Sequence, residues 1–471
     1  MAARRIIETA QALAQGTITS ARLVDEALER ADDPAGEGAR VFTRVYRESA
    51  RVQAAASDHL RGVGIVASPL HGIPISIKDL FDVAGETTTA GSMVLKGRAP
   101  ATRDAAIVRR LRAAGAVIVG KTNMSEFAYS GVGINPHYGT PRNCWDRASG
   151  RIPGGSSSGA AISITDAMAV AAIGTDTGGS VRIPAAFNGV TGFKPTQRRV
   201  PLDGAFPLST TLDSIGPLAN SLACCAIVDA VIAGEEPSVP ASIPLRGLRF
   251  ALPTHYLVDD LEPAVARGFE SALRRLSDAG AHIVDLPFAE LEELPSINAK
   301  GGFSAAESYA KLRNFVVTES EKIDPRVLAR IVRGAEISGP DYVDLVAARA
   351  ALIARAAEAT APFDAVLMPT LALTAPAISA LAANDEYVRT NLAIVRNPSV
   401  VNFLDRCALT LPCHEPGEAP VGLSLMGEHL GDRRLIAIGL SCEAALRRES
   451  GGAACALAAG LNLWMKHRDD W

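Results

Sequence analysis

Positive charge is not in excess in this 471-residue chain: 47 Lys and Arg face 51 Asp and Glu, for a formal net charge of -4. With no basic field to hold a polyanion, direct nucleic-acid binding is not expected. Paired cysteines are also missing. The seven (Cys144, Cys224, Cys225, Cys407, Cys413, Cys442, Cys455) form no C-x-x-C and no Cys/His ligand spacing, which fits a reduced, cytoplasmic protein without structural zinc. No run is long and apolar enough to span a membrane. The longest uncharged stretch near the C-terminus, Gly451 to Met465, is interrupted by Gly460 and Asn462 and falls short of roughly 20 apolar residues. Glu8, Thr9, Gln11 and Gln15 deny the N-terminus the apolar core of a signal peptide. There is no repeat of fixed period and no low-complexity tract.

What is present is ample core. Apolar residues make up 48% of the chain, enough to bury a large interior and to exclude disorder as the main state. Ser20 is placed to cap a helix whose Leu23, Val24, Ala27 and Leu28 share one face. Ile73 to Ile77 reads as a strand ending at Lys78. A helix from Asp104, closed by Gly115, feeds a strand at Val117 to Val119. The same grammar recurs at Glu262 to Ala279, Gly280 and His282 to Leu286, with further strands expected at Arg249 to Leu252, Ala365 to Met368 and Val421 to Leu425. This alternation predicts an α/β fold, a large mixed sheet sandwiched by helices. The proline-rich stretch from Gly234 to Pro244 is read as a surface connection within one domain spanning 1–471.

Two short motifs are misleading. GAVIVGKT at Gly115 to Thr122 matches the phosphate-loop pattern, yet its Ala-Val-Ile-Val is itself strand-like and would commit its amides to a ladder. Gly155-Ser156-Ser157-Ser158-Gly159 matches the hydrolase elbow with Ser157 as nucleophile, but the preceding NCWDRASGRIP is no hydrophobic strand. The downstream histidines His255, His282, His414 and His429 have no context that singles one out as a base.

A longer pattern is harder to set aside: PGGSSSGAAISI at Pro153 to Ile164, then GTDTGGSVRIPAAFNGVTGFKPT at Gly174 to Thr196. Glycines around a serine let several backbone N–H groups converge on one point, as an oxyanion hole requires, and Thr177, Gly178, Gly179 and Ser180 could supply them. With SIKDLFDV at Ser76 to Val83 and DSIGP at Asp213 to Pro217, these blocks resemble the amidase signature hydrolases in order and spacing over almost the whole chain. One departure is Ser158 in place of a frequent glycine, followed by the bulky Ile162 and Ile164.

The resemblance implies a Ser-Ser-Lys triad: Ser180 as nucleophile, Ser156 as bridging serine at a cis peptide bond, and Lys78 as base. It implies an acyl-enzyme and no metal or organic cofactor. A lysine suits the role because burial can keep its amine neutral, whereas arginine stays charged. The chain has only eight lysines against thirty-nine arginines, so Lys78 is not a product of a lysine-rich surface. The alternative is a strand-end lysine paired with Asp79 or Asp82 at the surface. Ser157, Asp176 and Arg182 are expected to support the nucleophile loop, Asn188 and Lys194 to be structural, and Asp213 to fix the loop after it. Met124, Tyr129, Phe187 and Asn397 to Phe403 are candidates for the acyl pocket. Losing an oxyanion donor typically costs about 3 kcal/mol, so changes at Gly178 and Gly179 are both expected to be damaging.

The leading expectation is an amidohydrolase acting on a small carboxylic amide, with no membrane and no direct nucleic-acid partner, and compatible with a homodimer. The competing one is the glutaminase subunit of a tRNA-dependent amidotransferase, which KTNMSEFAYSG at Lys121 to Gly131 approaches. A non-catalytic scaffold is opposed by intact Lys78, Ser156 and Ser180.

Overall fold

The computed structural model describes residues 4–447; the apolar stretch at 451–465 and Cys455 lie outside them. Eleven strands form one sheet: β1 (Phe42–Val45), β2 (Pro74–Lys78), β3 (Val117–Thr122), β4 (Ala171–Asp176), β5 (Thr191–Lys194), β6 (Ser214–Ala219), β7 (Arg249–Pro253), β8 (His282–Leu286), β9 (Ala365–Pro369), β10 (Ala408–Pro412) and β11 (Gly422–Met426). Their spatial order is β1-β3-β2-β4-β6-β5-β10-β11-β9-β7-β8. The β3-β2-β4 and β9-β7-β8 sets are parallel and the pairs between them antiparallel, so the sheet is mixed. Every residue of β2, β3, β4, β5, β6, β9 and β11 is buried, as expected of strands covered on both faces.

The expected segments are present, with shifted ends. The first predicted helix runs Ser20–Asp32, but its cap is Thr19, whose side chain accepts from the N–H of Arg22, while the Ser20 hydroxyl is buried without a partner. The second begins at Ala106, because the Asp104 carboxylate is taken by the N–H of Ala84. The phosphate-loop lookalike is β3, in register with β1 and β2, so its amides belong to a ladder. Residues 234–244 run without helix or strand between the helix Leu222–Ala233 and β7, and the N–H of Ile243 bonds the Ala437 carbonyl. Among the described residues no helix is long and apolar enough to cross a membrane.

One helix shows how composition positions the site. Ser158–Thr165 has seven of its eight residues buried. A Cβ on Gly159 would lie 2.3 Å from the Val41 carbonyl, so only glycine allows this approach. The bulky Ile162 and Ile164 are accommodated by packing into two different core clusters.

Candidate functional site

Strand β2 lies between β3 and β4 and delivers Lys78 at its end into a fully enclosed position. The amine donates to Ser156 Oγ at 2.7 Å and to Thr175 Oγ1 at 2.9 Å. Register explains the second contact: Ile77 lies opposite Ile173, which places the end of β4 beside Lys78. Burial pulls the amine down to about 7, against the attraction of Asp213 and Asp176. Surface pairing is ruled out, since Asp79 is ion-paired with buried Lys121 at 2.9 Å and Asp82 accepts from Thr88.

The three consecutive serines have separate anchors. Ser156 follows a cis peptide bond from Gly155, and its carbonyl accepts from the N–H of Ser125 at 3.0 Å. Ser157 Oγ donates to the Thr175 carbonyl at 3.4 Å, and Ser158 Oγ to the Asn123 carbonyl at 3.2 Å. Residues 143–153 contain no strand, so the elbow that would make Ser157 a nucleophile is missing.

Ser180 sits on the loop leaving β4, and Asp176 organises that loop. Its carboxylate accepts from the backbone N–H groups of Gly179 (2.8 Å) and Val181 (3.1 Å) and forms a two-pronged pair with Arg182 at 2.9 and 3.1 Å. Burial opposes this ionisation, but the Arg182 guanidinium outweighs it and brings the carboxyl down to about 2. Arg182 also donates to the Pro398 carbonyl and Asn402 Oδ1, while Asn402 Nδ2 returns bonds to the Asp176 carbonyl and carboxylate. Lys194 is buried nearby, its amine lowered by burial to about 8, and donates to the Pro195 carbonyl. Asn188 donates to the Pro153 and Pro184 carbonyls, tying the GGSSSG block to the helix after Ser180.

Two expectations change here. Asp213 braces what precedes it, accepting from Thr177 Oγ1 at 2.5 Å and from the N–H groups of Leu208 and Ser209. The Gly179 N–H is already given to Asp176, which leaves the amides of Thr177, Gly178 and Ser180 as the available donor set. The two glycines also differ sterically. Gly179 has φ +117°, and a Cβ there would fall 2.4 Å from Pro398, whereas a Cβ on Gly178 would meet nothing closer than Ser399 at 3.7 Å.

Thr177, Gly178 and Ser180 line an open cleft of about 740 Å³, whereas Lys78 and Ser156 lie behind it. Of the pocket candidates, Tyr129 lines the cleft, as do Ser399, Val400 and Phe403 from the 397–403 segment. Met124 and Phe187 do not: both are fully enclosed members of core clusters. Asn397 instead holds the Leu257 and Pro369 carbonyls. Asn402, expected in the pocket as part of the 397–403 segment, instead braces Asp176 and Arg182, and sequence reasoning missed Thr175 and the cleft arginines Arg330, Arg333 and Arg396. Only sheet register and long-range packing bring these residues to the site, so no local pattern marks them.

Comparison with known proteins gives the family and the fold. The Amidase family model matches residues 22–436. A 2-amino-5-chloromuconic acid deaminase of Comamonas testosteroni is 38% identical over 84% of this chain and 86% of its own length. A glutamyl-tRNA(Gln) amidotransferase subunit of Chloroflexus aurantiacus is 34% identical over 91% of this chain and 93% of its own. A crystal structure of an amidase superposes with a TM-score of 0.85 at 33% identity, covering 94% of this chain and 100% of the other. With its mixed sheet and the serine- and glycine-rich loops around Lys78, the chain belongs to the amidase signature family and is an amide hydrolase by descent.

Proposed function

We propose that this chain cleaves the C–N bond of a small linear carboxylic amide through Ser180, Ser156 and Lys78, forming an acyl-enzyme and releasing ammonia or an amine. The observation that carries the reading is the Lys78 amine, enclosed, 2.7 Å from Ser156 Oγ and lowered to about 7 by burial. A serine hydroxyl is a weak nucleophile at neutral pH and needs a neighbour able to take its proton.

In this mechanism neutral Lys78 accepts the Ser156 proton as Ser156 accepts that of Ser180. In the geometry described Ser156 Oγ is bonded to Lys78 and not to Ser180, so the relay closes as substrate is attacked. Ser180 Oγ adds to the amide carbon, and the oxyanion is held by the amides of Thr177, Gly178 and Ser180. Collapse breaks the C–N bond, with the proton returning through Ser156 to the leaving nitrogen. Water, deprotonated along the same route, then releases the carboxylic acid. A relative named as a deaminase is in keeping with loss of ammonia. The free cysteines among the described residues suit a cytoplasmic setting.

The likeness to amidotransferase subunits supports a second reading, a glutaminase that works only within a complex. A fluorophosphonate probe should label the purified chain at Ser180, and the chain alone should release ammonia from simple amides. Labelling that persists in Ser180→Ala would overturn the assignment, and ammonia released from glutamine only when partner proteins are added would favour the second reading.

A further inference from the structure

From a buried arginine left without a partner we infer that the chain has a second ligand site, apart from the catalytic cleft, where Arg406 takes a small organic carboxylate with an apolar body. Two arginines are buried among the described residues, and they differ in what they touch. Arg182 is fully enclosed and commits its guanidinium to Asp176, Asn402 and the Pro398 carbonyl. Arg406 is 6% exposed, and its side chain has no hydrogen bond, ion pair or ring contact among the described residues. Burial holds this guanidinium below its ordinary value, yet arginine stays charged even so. A charge enclosed with its N–H donors idle is unfavourable until an anion meets it.

Arg406 lines an open cavity of about 470 Å³ that shares no lining residue with the cleft of Ser180. The cavity lies where the start of β9 and the end of β11 meet the helices Gly339–Thr360 and Asp432–Leu446. The other charges on its wall do not neutralise Arg406. Asp364 accepts from the N–H of Arg249 and is ion-paired with Arg434, and His429 Nδ1 is held 2.8 Å from the Asp405 carbonyl. Glu428 is exposed and makes no ion pair with Arg406. Ile353, Phe363, Leu404 and Met426 supply apolar wall beside the guanidinium. A free guanidinium edge matches a planar carboxylate with two parallel bonds, and the apolar wall favours a carboxylate carried on a hydrocarbon body over inorganic phosphate. Leu404 and Arg406 belong to the turn that follows Asn402 and Phe403, so the cavity backs onto the segment that braces Asp176 without reaching Ser180.

The test is calorimetric titration of the full chain with benzoate, benzyl alcohol and inorganic phosphate at constant ionic strength. Because the catalytic cleft also has arginines, each titration is run in parallel on the unmodified chain and on Arg330→Gln. Benzoate should bind at least tenfold more tightly than benzyl alcohol or phosphate. Arg406→Met should weaken that binding at least tenfold, and so should Ala357→Trp, which fills the cavity from an exposed position and keeps Arg406. The same binding should persist within about twofold in Arg330→Gln, on the wall of the other cavity. Without ligand, Arg406→Met should hold or raise the thermal midpoint, since it removes a buried charge that nothing compensates. Failure of benzoate to bind, binding unchanged in both cavity variants, or binding lost only in Arg330→Gln overturns the inference. So does binding that appears only in Glu428→Gln, which would show that the chain closes the site with its own carboxylate. Phosphate held as tightly as benzoate overturns the class of ligand. None of these outcomes depends on turnover, so the catalytic reading stands or falls separately.

Discussion

At the scale of single residues the proposed mechanism depends on one amine kept neutral. Lys78 is held near 7 by burial, so the fraction able to accept a proton grows as pH rises through that value. The kcat/KM profile should therefore rise with pH and bend near 7. Asp213, raised by burial to about 6 and held by hydrogen bonds that oppose the rise, loses its proton just below that range. Its charge attracts the Lys78 proton, so Asp213→Asn should move the bend to lower pH. Lys78→Met should reduce turnover by roughly 10³-fold or more, since it removes the amine bonded to Ser156 that the mechanism uses to take the serine proton. A bend unmoved in Asp213→Asn, or turnover retained in Lys78→Met, would show that another group is the base.

At the scale of elements, the loop that carries Ser180 is a bridge between β4 and the helix Asn384–Phe403. Asp176, Arg182 and Asn402 join them in one buried network, and the Pro398 carbonyl accepts from Arg182. Truncating one member of a buried charge pair leaves the other uncompensated, so Arg182→Met should lower unfolding stability by about 3–5 kcal/mol. Denaturant midpoints measure this directly; a loss below about 1 kcal/mol would mean the pair is not the brace it resembles. The adjacent glycines give a sharper contrast. Gly179→Ala forces a side chain onto Pro398 from a backbone angle alanine rarely adopts, and should cost activity far more than Gly178→Ala, which has room for a methyl and keeps its N–H. Equal losses in kcat at both positions would contradict that steric argument.

At the scale of the whole molecule, enclosing Lys78 carries a stability cost whose sign is fixed. Its folded value near 7 lies below the unfolded value near 10.4, so the unfolded chain binds more protons across that window. Stability from this group therefore rises with pH between about 7 and 10, and the penalty is complete below 7. Lys78→Met should raise the thermal midpoint, and more at pH 6 than at pH 9, while activity is lost; a midpoint that falls would argue against a buried amine. The local grammar that predicted strands at β2, β3, β7, β8, β9 and β11 is short-range, since alternation, β-branching and helix-closing glycines act within a few residues, and that much was legible in the chain itself. So were the blocks containing Lys78, Ser156 and Ser180, because hydroxyls and glycines packed so densely have a chemical meaning before any folding. Long-range placement was not legible. That Thr175 meets Lys78 follows from the pairing of β2 with β4, and that Met124 and Phe187 leave the cleft to Tyr129 follows from core packing. The lining of the cleft by arginines from two distant helical segments is likewise a product of chain crossing, because charge in a sequence has no position until tertiary structure brings its carriers to one surface.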